Sequence, residues 1–375
     1  MSMESTTRIT LPSRPRILIV ALRRLGDVLL STPLIRSIKR AWPEARIDAL
    51  IFADTAGILA GNPDIDQIIA MRPRPRPIDS LRAAARVGGR YDLAVSTQSG
   101  DRPTGFAILA AKRRVAPVED RFSGRLKRIV LTRSVAPDPR AHRVEAMLRL
   151  ADALGIARVP YVVPPQGEQP PNPPAGDYAV IHAAPMFTYK RWTAKGWRAL
   201  ASALAARGVT VVATGGPAAE ERAYLDDVWR GTTVQRQDGR LTWPELAGLV
   251  GRARVFIGPD TSVTHLAAAT GCPMVALYGP TDPRLWGPWP VGGLDAPWEA
   301  AADIQLRGNV RLVQHAFPCT PCQLEGCERK LTSDSRCLID LAPERVMEAV
   351  DEVLSVSSKT RPGRDQRNDT HQRIG

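Results

Sequence analysis

FIGPDTSVTHLAAATGCPMVALYGPTDP, residues 256–283, decides the fold. Its first apolar run ends at Gly258-Pro259-Asp260, and its second is CPMVALYGP. Between them, TSVTHLAAATG reads as a helix that opens at Thr261-Ser262 and stops at a glycine. Strand, helix and strand in that order build a parallel sheet covered by helices. The first N–H groups of such a helix have no intrahelical partners, and its dipole is positive at that end. A diphosphate can be held there without a metal. His265, one turn further in, either reaches the same site or packs against it. Asp260 either caps the helix or binds a sugar hydroxyl.

Working back towards the N-terminus, the same alternation recurs. YAVIHAA, VTVVATGG and ARVFIGPD read as strands. WTAKGWRALASALAARG, PAAEERAYLDDVWRG and LTWPELAGLVGRA read as helices, the last with Thr242 as candidate N-cap. A proline- and glycine-dense stretch, 160–177, precedes this series. It cannot hold regular structure and separates two units, with the linker proper at 166–177.

The first unit alternates too. RILIVAL, RIDALIF, QIIAM and YDLAVST read as strands, and VLLSTPLIRSIKRAW, Asp79–Val87 and HRVEAMLRLADALG as helices. Pro33 is placed to kink the first of those helices. At 375 residues the chain suits two domains. The expected organisation is a flexible lead at 1–15, a Rossmann-like domain at 16–165 and a second at 178–341. A closing helix at 342–355 and a disordered polar tail at 356–375 follow.

Composition excludes several classes. No apolar run approaches the roughly 18 residues that span a bilayer, and the N-terminus lacks the apolar core of a secretory signal. The cytoplasm is the expected location. Net charge is +13, and residues 1–165 hold 28 Lys and Arg against 15 Asp and Glu, so the whole excess lies there. The remainder is balanced. A basic half points to an anionic partner (nucleic acid, a membrane surface or a phosphorylated substrate) or to ordinary solubilising charge. Aromatic residues are only 5% and no recognised nucleic-acid module is present, so a non-enzymatic nucleic-acid-binding protein is the remotest reading.

Three more segments carry possible chemistry. RRLGDVLLSTP (23–33) lies at a strand-to-helix turn, where open parallel sheets bind ligands. Asp27 there is either a proton acceptor at the cleft mouth or the N-cap of the helix. HAAPMFTYKRW (182–192) offers Thr188, Lys190 and Arg191 as diphosphate donors. ATGGPAAEE (213–221) places a carboxylate, Glu220 or Glu221, where a ribose hydroxyl could be gripped. A fourth cluster, Cys319, Cys322, Cys327 and Cys337, has thiols enough for zinc or iron but not the spacing of paired CxxC knuckles. Free thiols in a compact loop are the alternative.

Together the segments resemble glycosyltransferase family 9, the lipopolysaccharide core heptosyltransferases, over about Arg16–Leu354. RRLGDVLLSTPLIRSIKRAWP is similar to the family's N-terminal signature, and 256–283 to its C-terminal one. VSTQSGDRPTGFAILA and the CTPCQLEGC segment resemble the heptosyltransferase III branch. The resemblance implies an α/β GT-B fold, two Rossmann-like doubly wound domains across a cleft. It implies an ADP-heptose donor, a phosphorylated lipid A-core acceptor at the inner face of the inner membrane, and inversion without a catalytic metal or other cofactor. By that likeness Asp27 is the general base, Lys190 with Thr188 binds the diphosphate, and Glu220 (or Glu221) meets the ribose. Asp260, Thr261, Ser262 and His265 form the rest of the donor pocket. Ser262 stands where the family often has glycine. Arg23, Arg24 and Arg102 are candidates for the acceptor. A transferase of the same family using another nucleotide sugar is the second reading.

Overall fold

Apolar runs that must be buried on both faces become central strands. The computed structural model describes residues 7–120, 122–167, 169–170 and 174–359. In the first unit the strands are β1 (Arg16–Ala21), β2 (Arg46–Phe52), β3 (Gln67–Met71), β4 (Tyr91–Ser96), β5 (Ala111–Pro117) and β6 (Arg133–Val135). Its helices are α1 (Leu25–Leu29), α2 (Thr32–Ala41), α3 (Pro77–Val87), α4 (Asp101–Ala110), α5 (Phe122–Val130) and α6 (Arg143–Leu154). The six strands are all parallel, in the order β3-β2-β1-β4-β5-β6. Pro33 falls in the first turn of α2, where its missing N–H costs nothing, and the chain breaks there into α1 and α2 rather than kinking one helix.

The second unit contains β7 (Tyr178–His182), β8 (Thr210–Thr214), β9 (Gln235–Arg236), β10 (Val255–Pro259), β11 (Met274–Tyr278), β12 (Ile304–Arg307) and β13 (Val310–Gln314). Its helices are α7 (Ala194–Ala206), α8 (Ala219–Val228), α9 (Trp243–Arg252), α10 (Ser262–Thr270), α11 (Pro283–Trp286), α12 (Arg336–Ile339) and α13 (Pro343–Lys359). The sheet order is β12-β13-β11-β10-β7-β8-β9, parallel except for the edge pair β12 and β13. Two parallel-dominated sheets with helices between their strands make the GT-B architecture. Strands β7, β10 and β11 are buried along their whole length.

The two units share an apolar interface. Val28, Leu29 and Ile58 of the first pack in one cluster with Leu249, Val250 and Leu266 of the second. Gly57 allows the closest approach: a Cβ there would lie 2.5 Å from Trp243 Cδ1.

Two boundaries differ from expectation, those of the lead and of the closing helix. The lead is packed from residue 9: Ile9 is buried and its N–H donates to Leu154 O at 3.0 Å, because α6 leaves a carbonyl and an apolar seat for it. Residues 1–6 lie outside the described residues. The segment before β7 is irregular but anchored. Val159 and Val163 donate N–H bonds to Ser37 Oγ and Thr32 Oγ1, each at 2.9 Å, and Trp289 Nε1 donates to Pro160 O at 3.0 Å. Residues 168 and 171–173 of the expected linker are outside the described residues. The closing helix runs to Lys359, four residues beyond 355, and the rest of the expected tail, 360–375, is likewise undescribed.

Candidate active site

Strand order fixes where ligands meet each sheet. In the first, order reverses between β1 and β4, and in the second between β7 and β10. Loops leaving adjacent strands at such a point diverge to opposite faces and open a crevice. The loop after β1 carries Arg23 and Arg24 and leads to Asp27 in α1; the loop after β4 leads to Arg102. The loop after β7 carries Thr188 and Lys190, and that after β10 carries Asp260 and Thr261. Residues remote in sequence therefore converge at two facing crevices.

In the second crevice Lys190 Nζ donates to Asp260 Oδ2 at 2.5 Å, with both side chains mostly buried. Burial acts to raise the Asp260 carboxyl. The Lys190 charge, the His265 ring and hydrogen bonds from Lys190 and Thr281 outweigh it and hold the group below its ordinary value. Asp260 is therefore not the helix cap. Thr261 is: its Oγ1 accepts the Thr264 N–H. His265 is buried, and burial, reinforced by the Lys190 charge, lowers its pKa against the pull of Asp260 and Asp27. Its buried Nδ1 has no hydrogen-bond partner among the described residues. Burial first and the Asp260 charge second push the neighbouring Tyr278 phenol well above its ordinary value.

The first crevice meets the second directly. A Cβ on Gly26 would sit 3.5 Å from His265 Cδ2 and 3.9 Å from Ser262 Cα, so α1 lies against the N-terminus of α10. Asp27, the next residue, is close enough for its charge to act on His265. Asp27 does not cap α1; it lies within the helix's first turn. Its Oδ1 is 3.0 Å from Nε of Arg143, and the two side chains are 12% and 14% exposed, so neither is sealed away. Burial lowers the Arg143 pKa, Asp27 opposes that, and Arg23 adds to it. Arg24 spans the gap, its guanidinium 5.1 Å from the Phe187 ring centre beside the Thr188–Lys190 turn.

Arg143 was not singled out by the sequence. The only signal is its position after His142, which caps α6 by accepting the Val144 N–H at Nδ1 and bonds Gly287 O through Nε2 at 2.9 Å. Of the two glutamates, Glu220 is exposed in the first turn of α8, whereas Glu221 turns back and accepts the Gly216 N–H at 2.6 Å. Arg23, Arg24 and Arg102 are all exposed.

The four cysteines of the loop form one neighbourhood. Burial pushes the Cys337 thiol up to about 11, and Cys319, Cys322 and Cys327 add to the shift, so all four are near one another. Cys319 and Cys327 are exposed, and Cys327 Sγ accepts the Arg336 N–H at 3.4 Å. Among the described residues no three His, Cys, Asp or Glu side chains are placed to hold a metal ion. Thiols suit zinc or iron by type, but in this arrangement the four are not drawn into a ligand set.

Residues 90–293 match glycosyltransferase family 9 (heptosyltransferase). Lipopolysaccharide heptosyltransferase 3 of Escherichia coli is 30% identical over 289 residues, which cover 70% of this chain and 83% of that protein. A family 9 glycosyl transferase structure from Veillonella parvula superposes with a TM-score of 0.73 at 20% identity, covering 93% of this chain and all of the other. An E. coli heptosyltransferase solved with ADP-2-deoxy-2-fluoro heptose superposes with a TM-score of 0.65 at 21% identity, covering 90% and 99%.

Proposed function

The chain belongs to glycosyltransferase family 9, the heptosyltransferases, and from that premise we propose that it moves a heptose from ADP-heptose to the inner core of lipopolysaccharide, with inversion. The observation that carries this is the contact of α1 with α10, which sets the Asp27 carboxylate opposite the cradle of Lys190, Asp260 and His265. An acceptor hydroxyl attacks the anomeric carbon while Asp27 takes its proton. The bond from that carbon to the diphosphate oxygen breaks, and ADP leaves from the opposite face. Negative charge grows on the leaving phosphate, where Lys190 and the α10 N-terminus stabilise it. An ammonium has three N–H donors, so Lys190 can keep Asp260 and still reach a phosphate oxygen. Closing the two units aligns the reactants and sheds water.

The transfer is proposed to need no metal. Zinc or iron, where bound, would be structural and would require the four thiols to draw together. The acceptor is a phosphorylated lipid, which suits the basic first unit with Arg23, Arg24 and Arg102 exposed near its crevice. No described helix is long and apolar enough to cross a membrane, and a peripheral place on the cytoplasmic face of the inner membrane goes with this reading. Glu221, turned towards the loop after β8, is better set than Glu220 to meet a ribose.

Ser262 favours a second reading, in which the donor is another nucleotide sugar. Its Cβ lies 3.9 Å from where a Cβ on Gly26 would sit, an atom that glycine at 262 would lack. Mass-spectrometric product assays with ADP-heptose, a panel of other nucleotide sugars and truncated core acceptors test both. Transfer of heptose alone supports the first reading, and transfer of a hexose alone replaces it with the second.

A further inference from the structure

The helix α5 faces the wrong way for an ordinary surface helix. An amphipathic helix normally buries its apolar stripe. Here Phe122, Leu126 and Ile129, at i, i+4 and i+7, share one face and are 80%, 58% and 79% exposed. Val130 widens that face and is 43% exposed.

The face turned to the protein is held by other residues. Gly124 is buried, and a Cβ there would lie 2.1 Å from Glu119 O, so only glycine lets the helix sit this close. Lys127 points inward, donating to Ser99 O at 2.8 Å and pairing with Asp101 at 2.6 Å. Leu131, just past the helix, closes a small apolar cluster with Ala116 and Val118. The orientation is therefore built in, and the apolar stripe is presented outward by design of the packing. Arg125 and Arg128 flank it and are exposed.

Exposed apolar side chains beside arginines are the composition of a helix that lies in the plane of an anionic bilayer surface. Ser99, in the loop after β4, and Asp101, the first residue of α4, anchor the helix at the edge of the first crevice. We propose that α5 docks this protein on an anionic lipid surface, with Phe122, Leu126 and Ile129 entering the headgroup–acyl boundary. Docked so, the crevice carrying Asp27 lies beside the membrane, a role that rests on the lipid-linked acceptor of the proposed function.

The test is flotation of the full chain with phosphatidylcholine vesicles, with and without phosphatidylglycerol. The wild type is expected to float with the anionic vesicles and to be released by salt. The variant Phe122→Ser/Leu126→Ser/Ile129→Ser is expected to bind at least roughly tenfold more weakly. Its thermal melt and its turnover of a soluble truncated acceptor are expected to match the wild type, which separates lost docking from lost folding. Equal flotation of wild type and variant overturns the proposal. So does a wild-type dimer in sedimentation that the variant converts to monomer, because the face then covers a second copy. Vesicle binding without turnover of any lipopolysaccharide acceptor would leave docking standing and remove the heptosyl reading instead.

Discussion

Asp27 and Arg143 meet 3.0 Å apart, carboxylate Oδ1 to guanidinium Nε, although 116 positions separate them in the chain. The fold brings them together: α1 leaves β1 at the reversal point, and Val144 in the first turn of α6 packs in one apolar cluster with Val28 and Leu29 of α1. The Arg143 guanidinium lies against the carboxylate proposed as the base and limits the directions in which it can turn.

Replacing Arg143 by Ala is therefore expected to lower kcat by about tenfold to a hundredfold while leaving ADP affinity nearly unchanged. Arg143→Lys restores the charge but not the planar fork, so partial recovery is expected. Steady-state kinetics with calorimetric ADP titration read both. Unchanged kcat in Arg143→Ala shows that the ion pair is only structural.

Lys190→Ala removes the cation proposed to face the diphosphate. ADP binding is expected to weaken roughly 10- to 100-fold, the worth of a charge-assisted hydrogen bond. The single variant also strands the buried Asp260 carboxylate, so its melting temperature is expected to fall. Lys190→Met with Asp260→Asn is expected to regain much of the melting temperature but not the affinity. Wild-type ADP affinity in either variant removes Lys190 from the donor site.

Acid should destabilise the fold earlier than carboxylate titration alone requires. Burial holds the His142 and His182 rings neutral, with pKa values lowered to about 4. In the unfolded chain both titrate near the ordinary value of about 6.5. The unfolded state therefore binds more protons between those limits. Stability is full above about pH 6.5 and is lost as pH falls towards 4, by on the order of 3 kcal/mol for each ring. Urea unfolding across that range measures the loss. His142→Asn keeps a capping oxygen for Val144 and is expected to flatten the slope while leaving the share of the other buried rings. A pH-independent midpoint in the wild type contradicts the burial of both rings.

Thiol reactivity should divide the cysteines. Burial pushes Cys272 up to about 12 and Cys337 up to about 11, so little thiolate exists at neutral pH. Cys319 and Cys327 are exposed and are expected to alkylate first with iodoacetamide, as followed by mass spectrometry. Protection of Cys319 and Cys327 until a chelator is added would mean that a metal gathers the cluster.

Much of the fold is legible because its strands are continuous apolar runs. β1, β7, β10 and β11 are nearly or wholly buried, and the sequence marks each. Helix ends are legible where the cap is chemical: Thr242 caps α9, and Gly155 ends α6 at φ 70°. The stretch from α4 to β6 is not. β5 reads AKRRVAP, with three charges and an edge neighbour, and α5 turns its apolar face outward, so neither obeys the usual pattern. The site divides the same way. Asp260, Thr261 and His265 adjoin a strand-to-helix turn and can be found from it. The Asp27–Arg143 pair joins two elements by tertiary packing alone, and no spacing in the sequence encodes it. Which glutamate faces the loop after β8 depends on a single helical step, and only the Glu221–Gly216 hydrogen bond decides it.

The most direct measurement is transfer by Asp27→Asn, scored by mass spectrometry of the glycosylated acceptor and paired with calorimetry of ADP binding. Asparagine keeps the shape but cannot take a proton. The expected result is intact ADP affinity with transfer reduced by about 100- to 10,000-fold. Transfer at the wild-type rate would contradict the assignment of Asp27 as the base.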